Sequence, residues 1–391
     1  MEQVLHILDW ILYVFFGLNI VYLLIYSLAS LRRKPSQLPA SPHQKQIVVL
    51  IPAYHEDAVI FECVQSCLNQ TYPSDRFDTV VISDGMHPQT NAALSTRPVR
   101  LVEVHFKEST KAKALNAAMN AIDRDYDIAV VLDADNIIPP TFLADINNLF
   151  ANPAVEVAQA HRVAKNVNNH IAYLDAVSEE INNTIFRLGH ARLGMSAALI
   201  GSGMAFNYRL FRETMANIHA VGGFDRELEL TLLYQGKRFH YLPDTHVLDE
   251  KIQNHNDFSR QRRRWMSAQW HYSMIFTYFL LKAIRAHRWD FCDKLYQQFS
   301  LPRLLLIGFT FLIAAGWSFI SISHSLKWWG LFLLLAAALL IAIPRRYYTR
   351  RMVLAVTALP YTFLTMALNI FKLRGANKKF IHTAHRATEK K

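Results

Sequence analysis

Asp127-Ile-Ala-Val-Val-Leu-Asp133-Ala-Asp135-Asn136 is the stretch of this chain that decides its fold. Its apolar run, bounded by carboxylates, is typical of a β-strand that is buried on both faces. The strand ends at Asp133 and Asp135, and their spacing allows both carboxylates to turn toward one point. Paired oxygen ligands suit Mg²⁺ or Mn²⁺, ions that commonly carry substrate phosphates. Taken alone, the motif is also compatible with an acidic turn that binds nothing.

Further strands and helices alternate around this central strand. Apolar runs predict strands at 47–51, 79–82 and 101–105, and the patterns between them predict helices at 58–69 and 110–122. Strands that alternate with helices indicate an α/β fold with a mostly parallel sheet.

Acidic residues follow the strands at three places. Glu56 and Asp84 come after earlier strands, as Asp133 and Asp135 follow the central one. Ligands of open α/β sheets bind at the carboxyl ends of the strands, so these side chains predict a site there. No glycine-rich phosphate loop occurs, and we therefore expect a metal and basic side chains to neutralise a bound phosphate.

The apolar residues of the chain concentrate in stretches without charge. Hydrophobic residues make up 52% of the sequence. The uncharged stretches are 10–31, 304–326, 328–344 and 352–371, each near the roughly 20 residues that cross a bilayer. Residues 45–260 instead have the mixed composition of a globular domain. The sequence predicts an integral membrane protein with one globular domain between its membrane segments.

Basic residues outnumber acidic ones, and their positions indicate a membrane partner. There are 42 Lys and Arg residues against 31 Asp and Glu residues, a net charge of +11. They cluster beside the apolar stretches, at 32–34, 345–346, 350–351 and 372–391. This pattern fits the positive-inside rule and anionic lipid head groups, so we expect membrane lipids and no nucleic acid as partners. The cluster at 32–34 predicts a cytoplasmic globular domain, and we expect a bacterial inner (cell) membrane.

Several short motifs follow one another along the globular region. They are Pro52-Ala53-Tyr54-His55-Glu56, Lys111-Ala-Lys113-Ala-Leu-Asn116, Asp133-Ala-Asp135, Gly201-Ser202-Gly203 and Gln261-Arg262-Arg263-Arg264-Trp265. In this order they resemble the membrane-integrated family 2 glycosyltransferases, such as the synthases of cellulose, chitin, hyaluronan and poly-N-acetylglucosamine. The last motif, Q-x-x-R-W, is the most specific. The resemblance implies an inverting enzyme with a GT-A fold, which is Rossmann-like with a mostly parallel sheet.

The resemblance also implies a role for each matching residue. The nucleotide-sugar donor would contact Ala53, Tyr54, Glu56, Asp84, Lys111, Lys113, Asn116, Asp133, Gln261 and Arg264. The acceptor would contact Gly201, Ser202, Gly203 and Trp265. A divalent metal, Mg²⁺ or Mn²⁺, would be held by Asp135 and Asp133. We interpret the remaining arginines, Arg260, Arg262 and Arg263, as a basic patch beside the membrane.

The catalytic base is assigned between two neighbouring carboxylates. The family's Thr-Glu-Asp corresponds to Gly223-Phe224-Asp225 here. An alignment that respects Glu227 and Gly236 favours Asp225 as the base, whereas a shifted frame would favour Glu227. An acid at a helix start also has a purely structural explanation, because it caps the helix and compensates its dipole. About 200° of rotation separates these two side chains around a helix, so only one of them can face the acceptor.

We expect four parts in the chain. These are an N-terminal transmembrane helix and linker (1–44), a cytoplasmic GT-A domain (45–266), interfacial amphipathic helices (267–300), and a C-terminal transmembrane region with a basic tail (301–391). Three or four membrane crossings are expected. The predicted activity is metal-dependent, inverting transfer of a sugar from a nucleotide-sugar, preferably a UDP-sugar, to a growing polysaccharide. The alternatives are a single-transfer enzyme that makes a glycolipid, and an inactive subunit of a synthase complex with partner subunits.

Overall fold

A computed structural model describes residues 2–32 and 38–370 of the chain. Its strands are β1 Ile47–Tyr54, β2 Phe77–Asp84, β3 Arg100–Val104, β4 Ile128–Val131, β5 Val157–Ala164, β6 Met204–Asn207 and β7 Phe239–Asp249. They form one sheet in the order β3-β2-β1-β4-β6-β5-β7. All pairings are parallel except those that β6 makes with β4 and β5. The predicted mostly parallel sheet is confirmed.

Helices cover both faces of the sheet and continue at each end of the described chain. The helices are α1 Glu2–Ser30, α2 Ile60–Leu68, α3 Pro88–Ser95, α4 Lys111–Ala121, α5 Phe142–Phe150, α6 His170–Asn182, α7 His190–Arg192, α8 Tyr208–Met215, α9 Phe224–Tyr234, α10 His255–Thr277, α11 Leu280–Arg285, α12 Trp289–Phe299, α13 Arg303–Ser318, α14 Ile322–Ala342, α15 Arg350–Val356 and α16 Leu359–Ile370. A π-helical segment, Asn183–Gly189, joins α6 to α7, and a short 3-10 helix, Arg345–Tyr347, precedes α15.

Strand β1 shows why the sheet has a core on both faces. Successive side chains of a strand point to opposite faces. Val48 and Leu50 belong to one buried cluster, while Ile47, Val49 and Ile51 belong to the cluster on the other face. A continuous apolar run fits this two-sided burial, as the sequence predicted.

The topology brings distant parts of the chain to one edge of the sheet. Strands β1, β2 and β4 are parallel, so their carboxyl ends share that edge. Strand β6 runs the opposite way, which places the turn before it, 201–203, at the same edge. Strand β5 reverses direction again, and β7 is parallel to it, so β7 also ends there.

Among the described residues, two helices are long and apolar enough to cross a membrane, Gln3–Ser30 and Ile322–Ala342. They pack against each other through residues of one buried cluster that includes Phe16, Ile20 and Trp328. Two bent helix pairs, α12 with α13 and α15 with α16, bend by 55° and 40°, and the count rises to four if each pair is one span. The prediction of three or four crossings stays a prediction. The tail at 371–391 and residues 33–34 of the basic cluster lie outside the described residues.

The helix boundaries of the predicted membrane region differ from the bounds of the uncharged stretches. Helix α13 ends at Ser318, short of the predicted span, and the next residues, Phe319 and Ile320, are largely exposed. The region 267–300, predicted to hold interfacial amphipathic helices, contains the end of α10 and the helices α11 and α12. His287 has a φ of 54° just after α11, a left-handed conformation that ends the helix.

Candidate functional site

Three carboxylates meet at the carboxyl edge of the sheet. Oxygens of Asp133, Asp135 and Asp249 all lie within 4.8 Å of one another. Asp133 and Asp135 follow β4, whereas Asp249 ends β7, which β6 and β5 separate from β4. A cluster of carboxylate oxygens is the donor set that Mg²⁺ and Mn²⁺ prefer, so these residues fit a divalent cation. Asp249 was not among the residues predicted from the sequence, although β7 ends in an acid as β2 does.

Asp249 is held in its charged form by two basic side chains. Its carboxylate accepts a hydrogen bond from Lys251 at 2.7 Å and lies 3.6 Å from Arg162. Burial opposes ionisation of Asp249, but Arg162 and Lys251 outweigh that effect and hold its pKa below the ordinary value. Asp249 is therefore an ionised carboxylate at neutral pH.

Asp135 is fixed by hydrogen bonds on both carboxylate oxygens. It is 3% exposed, and it accepts the backbone N–H of Glu250 at 3.0 Å and the Asn136 side-chain amide at 3.2 Å. Glu250 directly follows β7, so the end of β7 orients this carboxylate as well as supplying Asp249. The two strands thus act as one unit at the site.

Lys111 connects the Asp133 side of the site to the turn at 201–203. It is the first residue of α4, which Thr110 caps by accepting the Lys113 N–H at 3.2 Å. The Lys111 ammonium forms an ion pair with Asp133 and donates to the Gly201 carbonyl at 2.7 Å. A cation in this position is suited to neutralise a phosphate bound at the sheet edge.

Asp225, near the start of α9, faces the turn at 201–203, whereas the Glu227 side chain does not. A Cβ atom on Gly201 would lie 3.6 Å from an Asp225 carboxylate oxygen, so the two residues face each other. Gly223, with a φ of 71°, provides the left-handed turn before α9. The Glu227 carboxylate instead accepts the Tyr272 hydroxyl at 3.3 Å, and burial raises its pKa. The structure has a large cavity of about 830 Å³ beside these residues. Asp225 lines this cavity, whereas Glu227 does not.

Helix α10 presents the Q-x-x-R-W residues to this cavity. Gln261, Arg264 and Trp265 all line it. The Gln261 side-chain oxygen is buried without a hydrogen-bond partner among the described residues, so it is available to a sugar hydroxyl. Burial lowers the pKa of Arg264, and the negative charges of Asp225 and Asp133 oppose that shift. Arg264 thus interacts electrostatically with both Asp225 and Asp133.

Arg262 differs from the basic patch that the sequence suggested. Its guanidinium donates to Asp175 at 2.7 Å and stacks over the rings of Trp265 and Phe258 at 4.7 Å and 4.8 Å. Arg262 also lines the cavity. It therefore fixes the indole that was predicted to contact the acceptor, and its position three residues before Trp265 is the only sequence signal for this role.

The motif from Pro52 to Glu56 lies beside the end of β2, where the nucleotide-sugar donor was predicted to bind. Tyr54 and Asp84 are register partners at the ends of β1 and β2, and the His55 N–H donates to the Asp84 carbonyl at 3.2 Å. Asp84 is 4% exposed, and burial raises its pKa. Gly85 has a φ of 66°, and a Cβ there would lie 2.7 Å from the His55 ring. Ala53 and Glu56 line the cavity beside Tyr54 and Asp84.

Four predicted contact residues lie behind the cavity walls. The Lys113 ammonium donates to the Glu108 carbonyl at 2.7 Å, and the Asn116 amide is 3.4 Å from the Ile218 carbonyl. The other two, Ser202 and Gly203, are buried in the turn before β6. None of the four is a wall of the cavity as described. In this arrangement they support the site instead of lining it.

The remaining predicted residues, except Glu227, converge on one cavity of about 830 Å³. Its walls include Ala53, Tyr54, Glu56, Asp84, Lys111, Asp133, Asp135, Gly201, Asp225, Gln261, Arg264 and Trp265. A volume of this size accommodates a nucleotide-sized ligand with an acceptor beside it. The cavity also extends between α13, α14, α15 and α16.

Comparison with known proteins identifies the family of this site. The model of the family described as "Glycosyltransferase like family 2" matches residues 43–268. The chain belongs to this family. The predicted family 2 glycosyltransferase is confirmed, and with it the enzyme class.

Individual relatives agree with this assignment. A hyaluronan synthase of Streptococcus pyogenes is 29% identical over 134 residues, 32% of this chain and 32% of the synthase. A probable glucomannan 4-beta-mannosyltransferase 3 of rice, Oryza sativa subsp. japonica, is 21% identical over 280 residues, 62% of this chain and 50% of that protein. The chain therefore spans only a third to a half of the length of these relatives.

A solved structure supports the GT-A fold. The mannosyltransferase PcManGT from Pyrobaculum calidifontis, solved with GDP-Man and Mn²⁺, superposes with a TM-score of 0.61 at 20% identity. The match covers 93% of this chain and 99% of the mannosyltransferase. The predicted GT-A fold with apolar helices at both ends is confirmed.

Proposed function

We propose that this protein is an inverting, metal-dependent glycosyltransferase that moves a sugar from a nucleotide-sugar to an acceptor hydroxyl at a membrane surface. The observation that carries the proposal is the convergence of Asp84, Asp133, Asp135 and Asp225 on one cavity. Three of these residues would bind the donor and a cation, and the fourth would act on the acceptor. A catalytically inactive subunit would have no need for this complete set.

The proposed reaction is a single displacement at the anomeric carbon of the donor. The acceptor oxygen would form a bond to the anomeric carbon, while the bond from that carbon to the diphosphate oxygen breaks. Asp225 would take the hydroxyl proton, and the nucleoside diphosphate would leave with the electron pair. One displacement with one base inverts the anomeric centre and gives a β-linkage from an α-linked donor.

Charge neutralisation of the leaving diphosphate is assigned to basic side chains and a divalent cation. Asp133, Asp135 and Asp249 would hold Mg²⁺ or Mn²⁺, which supplies positive charge to the diphosphate. Lys111 and Arg264 would add further positive charge from α4 and α10. The motif resemblance favours a UDP-sugar. PcManGT was solved with GDP-Man, so guanine donors are the alternative to test.

Two acceptors are compatible with this reaction. A growing polysaccharide is the acceptor that the sequence analysis favoured, and the names of the hyaluronan and glucomannan relatives are consistent with it. A lipid acceptor is the second candidate, because the cavity extends between the apolar helices α13 to α16.

The proposal is tested with the full-length chain purified in lipid nanodiscs. A panel of UDP- and GDP-sugars is supplied with Mn²⁺ or Mg²⁺, and released nucleoside diphosphate is measured. We expect release from one nucleotide class, loss of release with a chelator, and recovery when Mn²⁺ is returned. Asp135→Asn should lose turnover while the melting temperature changes little. Full activity in the chelator, or in Asp135→Asn, would contradict the metal assignment.

A further inference from the structure

The cavity changes its chemistry where it passes between the membrane helices. Beyond the first residue of α13, the described walls from α13 to α16 are apolar with one exception. The exception is Thr362, whose hydroxyl already donates to carbonyls of its own chain segment at 2.9 Å and 3.1 Å. The apolar walls include Ile307, Phe332, Leu335, Leu339, Met352 and Met366.

These walls suit hydrocarbon and disfavour a sugar chain. A sugar hydroxyl that enters an apolar wall without a partner loses its hydrogen bonds to water without replacement, whereas an acyl or prenyl chain is stabilised by burial. A second cavity of about 230 Å³ shares Leu174, Phe258 and Thr362 with the first and lies beside the break between α15 and α16. The apolar space is therefore longer than the main cavity alone.

Arg303, the first residue of α13, stands where the polar part of the cavity meets the apolar part. Its Nη2 donates to the backbone carbonyl and the hydroxyl of Ser178, at 3.1 Å and 3.2 Å. Its Nη1 is buried without a partner among the described residues. The carboxylates of Asp175 and Glu179 are bonded to other arginines, at 2.7 Å and 3.2 Å.

An arginine without a paired anion at such a junction has a physical cost. Other buried cations of the cavity have partners, as Lys294 has in Glu229 at 2.9 Å. A buried charge is stable only when it is paired, so the Arg303 guanidinium is suited to a bound anion. Its planar nitrogens match the oxygens of a phosphate or carboxylate.

Asn19 adds a second polar atom in the same cavity that no described residue bonds. It lies on α1, is 4% exposed, and uses its amide N–H to bond the Phe15 carbonyl at 2.8 Å. Its side-chain oxygen is buried without a partner among the described residues. Asn19 is one helical turn from Tyr22, another wall of the cavity. This oxygen accepts a hydrogen bond, so it suits a hydroxyl or amide of a bound molecule.

We propose that the acceptor is an anionic lipid that carries a free hydroxyl in its head group. The anion would lie on Arg303, a hydroxyl would face Asp225, and the hydrocarbon would lie between α13 and α16. This inference rests on the proposed function, which supplies the base and the donor. The lipid oxygen forms the glycosidic bond, its proton goes to Asp225, and the nucleoside diphosphate leaves. The product is a glycolipid, and no further reactant is needed.

The test separates the three features of the proposed acceptor. The full-length protein in neutral phosphatidylcholine nanodiscs receives an isotope-labelled donor and one of three probes. Phosphatidylglycerol has the anion, the hydroxyl and the chains; diacylglycerol lacks the anion; glycerol 3-phosphate lacks the chains. We expect at least tenfold more label on phosphatidylglycerol than on either other probe. Equal labelling of diacylglycerol, or label found only on soluble glycan, would overturn the proposal.

Variants of Arg303 test the anion directly. Arg303→Gln should lower the ratio of labelled phosphatidylglycerol to labelled diacylglycerol at least tenfold, and Arg303→Lys should restore part of it. Because each ratio is measured within one protein sample, partial unfolding does not change it. Arg209→Gln is the matched control, since the Arg209 side chain is 87% exposed and pairs only with Glu213 in the structure as described. An unchanged ratio in Arg303→Gln would refute the anion site.

The outcome also separates this inference from the proposed function. If no nucleotide-sugar of either class is consumed, with or without a probe, the proposed function itself fails, and the lipid inference with it. If the donor is consumed but no lipid is labelled, the proposed function stands and only the lipid inference is refuted.

Discussion

Replacement of Asp225 by Asn is the sharpest test of the reaction geometry. Asparagine keeps the size of the side chain beside Gly201 but cannot accept the acceptor proton at neutral pH. Loss of a general base typically lowers the rate about 10²–10⁴-fold, which corresponds to roughly 3–5 kcal/mol in the barrier. We therefore expect kcat to fall by that factor, with donor affinity nearly unchanged.

Glu227→Gln is the matched control, two residues along the same helix. Glu227 contacts Tyr272 and lies outside the cavity, and a glutamine oxygen can still accept that hydroxyl. We expect turnover close to that of the wild type. An acid that only compensates the helix dipole would cost about 1 kcal/mol of stability when it is neutralised. Because burial raises the pKa of Glu227, removing its charge should instead leave the melting temperature equal or higher.

The assay measures release of nucleoside diphosphate and, separately, binding of labelled donor in the same nanodiscs. The rate ratio between the two variants is the deciding quantity, because both changes convert an acid to its amide. If Glu227→Gln is the inactive variant and Asp225→Asn turns over normally, the base assignment is wrong. If both are fully active, neither carboxylate is the base.

Three further predictions concern metal binding by Asp249, the pH dependence of stability at Glu227, and the topology of the chain. Asp249→Asn should weaken Mn²⁺ binding at least tenfold, measured by electron paramagnetic resonance on folded protein, and unchanged affinity would remove Asp249 from the metal site. Because the folded-state pKa of Glu227 is raised above 4.5, its stabilising contribution is present below that pH and is lost as the pH rises through the folded value. As the pH rises from 4.5 through that pKa, the melting temperature of the wild type should therefore fall more than that of Glu227→Gln. If both melting temperatures change equally with pH, burial of Glu227 does not raise its pKa. A reporter fused after Pro42 should indicate the cytoplasm, and a signal from the opposite side would contradict the predicted topology.

Local sequence was enough for the elements on which the site is built. The run before Asp133 could only be buried, because every side chain in it is apolar. Strands that end in acids, in a chain that alternates strand and helix, place those acids at one edge. The order of short motifs identified the family, and the uncharged stretches identified the apolar helices at each end.

Tertiary structure decided which side chains face the cavity. Asp249 joins Asp133 only because β7 lies in the same sheet and points in the same direction as β4, although β6 and β5 stand between them, an arrangement that no local pattern encodes. Lys113 and Asn116 match the family motif, yet the rotation of α4 turns them to other partners. Side-chain direction depends on how a helix is rotated against its neighbours, and that rotation is fixed by packing.

Packing also distinguishes Arg262 from Arg303, two arginines that look alike in the sequence. In the sequence, Arg262 and Arg303 are basic residues near apolar stretches, which the positive-inside rule accounts for equally well. Only the packed structure distinguishes Arg262, paired with Asp175, from Arg303, which has a buried nitrogen without a partner in the described part of the chain. Composition determined that this chain meets a membrane. The packing of the helices around the cavity decided that the Arg303 guanidinium has a buried nitrogen that no described residue bonds.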